Sequence, residues 1–189
     1  MARFFIAAAA LVLALDAGAT GYPDKYEFGS PATDPEIKAI AIAIPPDGKW
    51  LPPGAGDWGT GKKVYGAQCA ACHGPDLLGV AGLKDMPAGA QLRLVGGRGT
   101  LTTPRPVLTV ESYWPYATTL FDYIRRAMPF FAPGSLSNND VYAVSAYILG
   151  EAKIFDKSAV LNAESLPRVR MPNRDGFITD PRPERFHTH

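Results

Sequence analysis

Two thiols and an imidazole constrain this chain more than anything else in it. Cys69-Ala70-Ala71-Cys72-His73 contains the only two cysteines of the 189 residues, and His73 is the only histidine outside the last three positions. The pattern reads as a covalent c-type haem attachment site. Each thiol can add to one vinyl group of the porphyrin, and the imidazole that follows is then held under the iron as its proximal ligand. A tetrahedral zinc site wants two more Cys or His ligands at workable spacing, and the sequence has none. A thioredoxin-like pair belongs at the start of a helix after a strand, where its thiolate is stabilised. Here the motif follows a short helical pattern and runs into Gly74-Pro75. A plain disulfide is the remaining alternative.

Charge and composition narrow the class. The formal net charge of +1 argues against a nucleic-acid binder. Hydrophobic residues at 47% and charged residues at 20% describe a globular chain able to build a core. With 18 prolines and 19 glycines, much of the chain must be loop. A haem that itself fills the core tolerates this. Residues 1–19 read as a signal peptide: Arg3 is the positive end, Phe4 to Leu15 the apolar stretch, and Ala17-Gly18-Ala19 the small-residue cleavage site. The apolar stretch is too short to span a bilayer, and Asp16 ends it. The mature chain is expected to start near Thr20, without a membrane span, in the periplasm, where c-type haem is attached.

Three regions follow. Residues 20–56 form an N-terminal extension broken by Pro23, Pro31, Pro35, Pro45-Pro46 and Pro52-Pro53. Within it Ile37 to Ile44 alternates, which suits a short strand or an extended segment laid on a neighbour. Residues 57–150 form the cytochrome c domain. Its first helix is expected from Asp57 to Ala71, with Asp57 or Thr60 as N-cap. Gly61 and Gly66 cost helicity, which suggests that another helix approaches closely there. Pro87 is either a turn proline or the residue whose carbonyl orients the His73 ring. Leu94 to Gly99 matches no phosphate loop and reads as backbone wrapping the haem edge, with Arg98 a candidate partner for a propionate. A second helix, capped by Thr118 or Thr119, carries Arg125-Arg126 at its dipole-favoured end and stops at Met128-Pro129. Ser137 to Asp140 resembles a capping arrangement. It opens a last helix that reaches about Leu149, ends at Gly150, and carries Tyr142 and Tyr147 towards the haem-bearing helix. Residues 151–189 are a C-terminal strap or tail, expected to lie irregularly over the domain or a partner.

The chemistry depends on the sixth iron ligand. Met128 lies between the second and last helices and can approach the iron from the side opposite His73. A His/Met pair is the usual electron-transfer ligation. Met86 and Met171 read better as core methionines, and His187 and His189 sit on the tail. With His73 and Met128 as axial ligands, no position is left for a substrate. The chain is then suited to outer-sphere, one-electron transfer and is not expected to be a complete enzyme by itself, and no catalytic residues are assigned. The fold expected is a mostly helical class I cytochrome c domain around one covalent haem, with irregular N- and C-terminal extensions.

Several strings taken together carry a more specific likeness: PPDGKWLPPGAGDWGTGKKVYGAQCAACHG, LVGGRGTL, ESYWPYATTLFDYIRRAMPFFAPGSLSNNDVYAVSAYIL and ESLPRVRMPNRDGF. From residue 41 to 180 the sequence resembles the cytochrome subunit of the bacterial Sox-type sulfite (sulfane) dehydrogenase. The resemblance implies haem c on Cys69 and Cys72, with His73 and Met128 on the iron. It also implies a molybdenum-cofactor dehydrogenase subunit as electron donor and a downstream periplasmic cytochrome as acceptor. A single CxxCH makes this the one-haem form. Two other readings remain: a free-standing periplasmic electron shuttle for another dehydrogenase, and a haem-based ligand sensor with a labile sixth site. Arg98, Arg105, Arg125 and Arg126 either form a basic docking patch or neutralise propionates and helix ends.

Overall fold

The computed structural model describes residues 28–40, 42–80 and 92–178. The signal-like segment, Met86, Pro87, His187 and His189 lie outside the described residues. In chain order the elements are α1 (Asp34–Ile40), β1 (Ala55–Asp57), α2 (Trp58–Gln68), α3 (Ala70–His73), α4 (Ala117–Ala127), α5 (Asn138–Glu151) and β2 (Val160–Asn162), followed by a 3₁₀ turn at Leu166–Arg168. Among the described residues the regular structure is therefore mostly helical, as expected. Among the described residues no helix is long and apolar enough to cross a membrane.

The centre of the fold is α5. Ser137 caps it by accepting from the Asp140 amide at 3.1 Å, and every residue from Val141 to Gly150 is buried. A helix apolar on all sides can be stable only when wrapped, and α5 is wrapped by α2, β1, α4 and β2. Gly61 permits the closest approach: a Cβ there would stand 1.9 Å from the Ala143 carbonyl oxygen. Gly56 on β1 is similar, with a Cβ 2.2 Å from the Ala143 nitrogen. Gly66 has nothing within 4 Å, so the close-approach expectation holds for Gly61 and not for Gly66. Gly150 does not stop α5, which runs on to Glu151. Its lack of a side chain instead admits the Trp58 indole, which would lie 2.7 Å from a Cβ. Tyr147 reaches the haem-motif helix, with ring centroids 5.0 Å from Tyr65 and 5.6 Å from Trp58. Tyr142 packs on Phe121 at 4.4 Å and donates its hydroxyl hydrogen to the Pro52 carbonyl.

Ile37 to Ile44 is not a strand. Residues 34–40 form α1, because Glu36 reaches back and accepts from both the Thr33 amide and the Thr33 hydroxyl, at 2.8 and 2.7 Å. This is the glutamate half of a capping box. Only the end of the run reaches the core. Ile44 is 7% exposed, and its amide donates to Asp122 Oδ1 at 2.9 Å. Asp122, itself nearly buried on α4, also accepts from Arg126 one turn on, at 3.0 and 2.5 Å. One carboxylate thus ties the extension to α4.

The described part of the C-terminal segment, residues 151–178, runs as a strap over the core. β2 pairs antiparallel with β1, placing Gly56 opposite Leu161. Leu161 and Leu166 are fully buried, and Met171 is 1% exposed. Beyond them Asn173 donates to the Tyr113 carbonyl at 2.7 Å, and the Arg174 guanidinium lies 4.5 Å from the centre of the Tyr116 ring. The end of the strap thereby clamps the segment leading into α4.

Candidate haem site

The proximal side is built by α2, α3 and the segment around Leu92. Asp57 caps α2 by accepting from the Thr60 amide at 2.8 Å, and that bond holds its carboxyl below the usual aspartate range. The helix breaks at Cys69 (φ −124°, ψ −37°). A tight second turn follows, in which the Cys72 and His73 amides both donate to the Cys69 carbonyl, at 3.1 and 2.9 Å. The Tyr65 hydroxyl, buried one turn before the motif, donates to the Gly74 carbonyl at 2.7 Å. Burial pushes that hydroxyl's pKa well above its ordinary value, so it stays a donor. The Gly79 amide bonds the His73 carbonyl, and the Leu94 amide bonds the Leu77 carbonyl, both at 2.8 Å. These bonds bring residues 92–94 against the histidine.

The decisive contact is His73 Nδ1 to the Leu92 carbonyl oxygen, at 2.6 Å. A carbonyl can only accept, so Nδ1 carries the proton and Nε2 is left as a lone-pair donor. A histidine prepared to bind a metal through Nε2 needs this partner. The Leu92 carbonyl therefore takes the role considered for Pro87. Sequence reasoning missed it because the partner is a backbone atom with no side-chain signature.

Cys69 and Cys72 are free and half-buried. Burial, reinforced by the nearby Cys72, pushes the Cys69 thiol up to about 11. A disulfide oxidoreductase needs the opposite, a depressed thiol pKa, so the pair is poorly suited to exchange chemistry. Among the described residues no group of three His, Cys, Asp or Glu side chains could hold a metal ion on its own. The donors fit a haem instead: two thiols one turn apart for covalent bonds, and an oriented imidazole for iron.

α4 ends at Ala127, with Met128 as its C-cap, whose backbone is extended (φ −125°, ψ 148°) before Pro129. Its cap is made by backbone geometry, with Tyr116 rather than Thr118 or Thr119 at the N-cap. The Met128 side chain is half-buried against the core, while Phe130 and Phe131 beyond it are exposed. Met171 is a core methionine. Arg98 is braced from two sides: Nε lies 2.7 Å from Glu111 Oε1, and Nη2 donates to the Ala152 carbonyl at 2.6 Å. Glu111 also accepts from the Gly96 amide, at 2.5 Å. Arg126 is occupied by Asp122, which raises its pKa. A residue that sequence reasoning passed over is Arg93. Its Nε is buried with no hydrogen-bond partner among the described residues, as expected where a ligand carboxylate supplies the acceptor.

This arrangement on this helical frame defines a cytochrome c domain. Residues 56–148 match the family described as cytochrome C oxidase, cbb3-type, subunit III. A crystal structure of the sulfane dehydrogenase SoxCD from Paracoccus pantotrophus is similar over 86% of this chain and 76% of that one, with 39% identity and a TM-score of 0.68. The chain belongs to the Sox-type cytochrome c subunits. It is also 26% identical, over 157 residues and 83% of its length, to a thiosulfate dehydrogenase of Stutzerimonas stutzeri (strain A1501). It spans 46% of the length of that protein.

Proposed function

We propose that the chain is a periplasmic, one-electron-transfer subunit of a sulfite or sulfane dehydrogenase. It carries one haem c on Cys69 and Cys72, with His73 and Met128 as axial ligands. It accepts electrons from a molybdenum-cofactor subunit and passes them to a downstream periplasmic cytochrome. The bound haem supplies a one-electron iron couple. The chain's own residues do the rest. The Leu92 carbonyl fixes the His73 tautomer and ring plane. Burial keeps Cys69 protonated until it is consumed. The extended backbone at Met128 frees its thioether from α4.

The observation that carries the sulfur assignment is the extent of the likeness to SoxCD. Coverage of 86% exceeds what residues 57–150 alone could supply, so the extension or the strap is shared as well as the haem core. A generic cytochrome likeness would stop at the core. The two-electron oxidation of a sulfur substrate reduces a one-electron carrier twice, so the donor centre must hold one electron meanwhile.

The test is native purification followed by metal analysis. Molybdenum at a fixed ratio to haem, with haem reduced on addition of sulfite or thiosulfate, is the expected result. A haem protein that co-purifies with no molybdenum, and that no sulfur substrate reduces after its neighbours are added back, overturns the donor assignment.

A further inference from the structure

We infer that Arg93 is the residue that binds a haem propionate and holds up the reduction potential, while Arg98 braces the loop beside it. The inference rests on haem attachment at Cys69 and Cys72 and not on the identity of the electron donor.

Arg93 follows directly on Leu92, whose carbonyl orients the His73 ring. Its backbone is pressed against the proximal loop: a Cβ on Gly79 would meet the Arg93 nitrogen at 3.3 Å. Its guanidinium reaches towards the Gly96-Gly97 turn, where Nη1 would lie 3.8 Å from a Cβ on Gly96. That turn has little freedom to move, since a Cβ on Gly97 would stand 2.3 Å from the Val107 carbonyl oxygen. The side chain thus starts beside the histidine's own support and extends towards the glycine turn.

A guanidinium is charged at every pH a protein survives. A buried hydrogen-bond donor left without an acceptor is unfavourable. Yet Nε of Arg93 is buried and has no partner among the described residues. The carboxylate of this loop, Glu111, is already engaged by Arg98 Nε and the Gly96 amide. Arg98 has also spent Nη2 on the Ala152 carbonyl. A haem seated on His73 brings two carboxylates and no other anionic group. Pairing one of them with Arg93 satisfies the orphaned Nε donor. Arg98 already has its acceptors from the protein.

The pairing sets a direction for the potential. Propionate charge favours the oxidised iron, which carries one more positive charge. A fixed cation on the propionate cancels that preference and favours the reduced state.

The experiment compares Arg93→Gln, Arg93→Lys, Arg98→Gln and the exposed Arg105→Gln in the full chain, exported and matured with haem. Covalent haem is measured first by its pyridine haemochrome, so failure of haem attachment is seen separately from failure of this inference. The midpoint potential is then titrated optically. Expected is a lower potential in Arg93→Gln, a smaller fall in Arg98→Gln, and none in Arg105→Gln. The Met-to-iron charge-transfer band should stay in place throughout. An Arg93→Gln potential equal to that of the parent, or a fall matched by Arg98→Gln, overturns the inference. Should Arg93→Gln not mature, Arg93→Lys keeps the charge but loses the forked donor geometry. It should then shift the propionate bending mode in the resonance Raman spectrum, and an unshifted mode overturns the inference equally.

Discussion

Gly61 and Gly66 lie on the same helix, five positions apart, and face opposite demands. At Gly61 the backbone of α5 occupies the space a methyl group would need, and backbone cannot step aside as a side chain can. Gly61→Ala should therefore destabilise the holoprotein by about 3 kcal/mol, the upper end of ordinary over-packing penalties. Gly66 faces open space within α2, so Gly66→Ala should stabilise by about 0.5–1 kcal/mol through helix propensity alone. Denaturant titration of both variants reads the two signs, and equal signs would contradict the packing of α2 on α5. Met128 is a residue-scale case with a chemical readout. Met128→Ala removes the thioether, so the reduced haem should bind carbon monoxide readily and the potential should fall. Unaltered carbon monoxide reactivity would instead favour a site already open in the parent chain, as a ligand sensor requires.

At the scale of elements, capping decides where helices begin, and it carries a pH signature. The Asp57 carboxyl accepts from the Thr60 amide, which lowers its pKa. A depressed carboxyl adds stability above its unfolded pKa, about 3.9, and that stability is lost as pH falls through the lowered folded value. Asp57→Asn keeps the acceptor but cannot be protonated away. The stability advantage of the parent over Asp57→Asn should thus shrink as pH drops below about 4, measured by thermal unfolding across that range. An advantage that stays constant down to pH 2 would show that the Asp57 charge plays no part. Caps also mark what was legible in the sequence. Ser137 to Asp140 before α5 and Met128-Pro129 after α4 are legible, and of the two caps offered for α2 it is Asp57 that serves, because each acts within four residues. α1 replaces the strand or extended segment expected: Thr33 to Glu36 holds half a capping box, but the Ala-Ile alternation that follows imitates a strand. The β1–β2 pair was not legible at all: three residues pair with three others across the whole cytochrome domain, and neither stretch has a periodicity of its own. The motif points to the atoms that would bind haem. The Leu92 carbonyl beside His73 and the orphaned Arg93 Nε depend on a loop geometry that spacing does not encode.

At the scale of the whole molecule, the question is whether the strap belongs to the fold of this chain or waits for a partner. A segment that folds only on a partner leaves its apolar residues exposed in the free chain. Here Leu161, Leu166 and Met171 are buried in the chain itself, in one cluster with Tyr142, Leu149 and Ile44. The strap therefore closes over the same core that α5 organises, and its far end steadies the entry to α4, the helix that delivers Met128. Met171→Ala removes most of a fully buried side chain and should cost about 2–5 kcal/mol. The loss should appear in one cooperative transition shared by far-ultraviolet dichroism and the haem Soret band, because strap and haem core unfold as a unit. A loss below about 1 kcal/mol, or a strap transition that precedes the Soret change, would place the strap outside the cooperative fold. The measurement belongs on the isolated subunit, since a bound dehydrogenase partner would add stability by mass action and hide the difference.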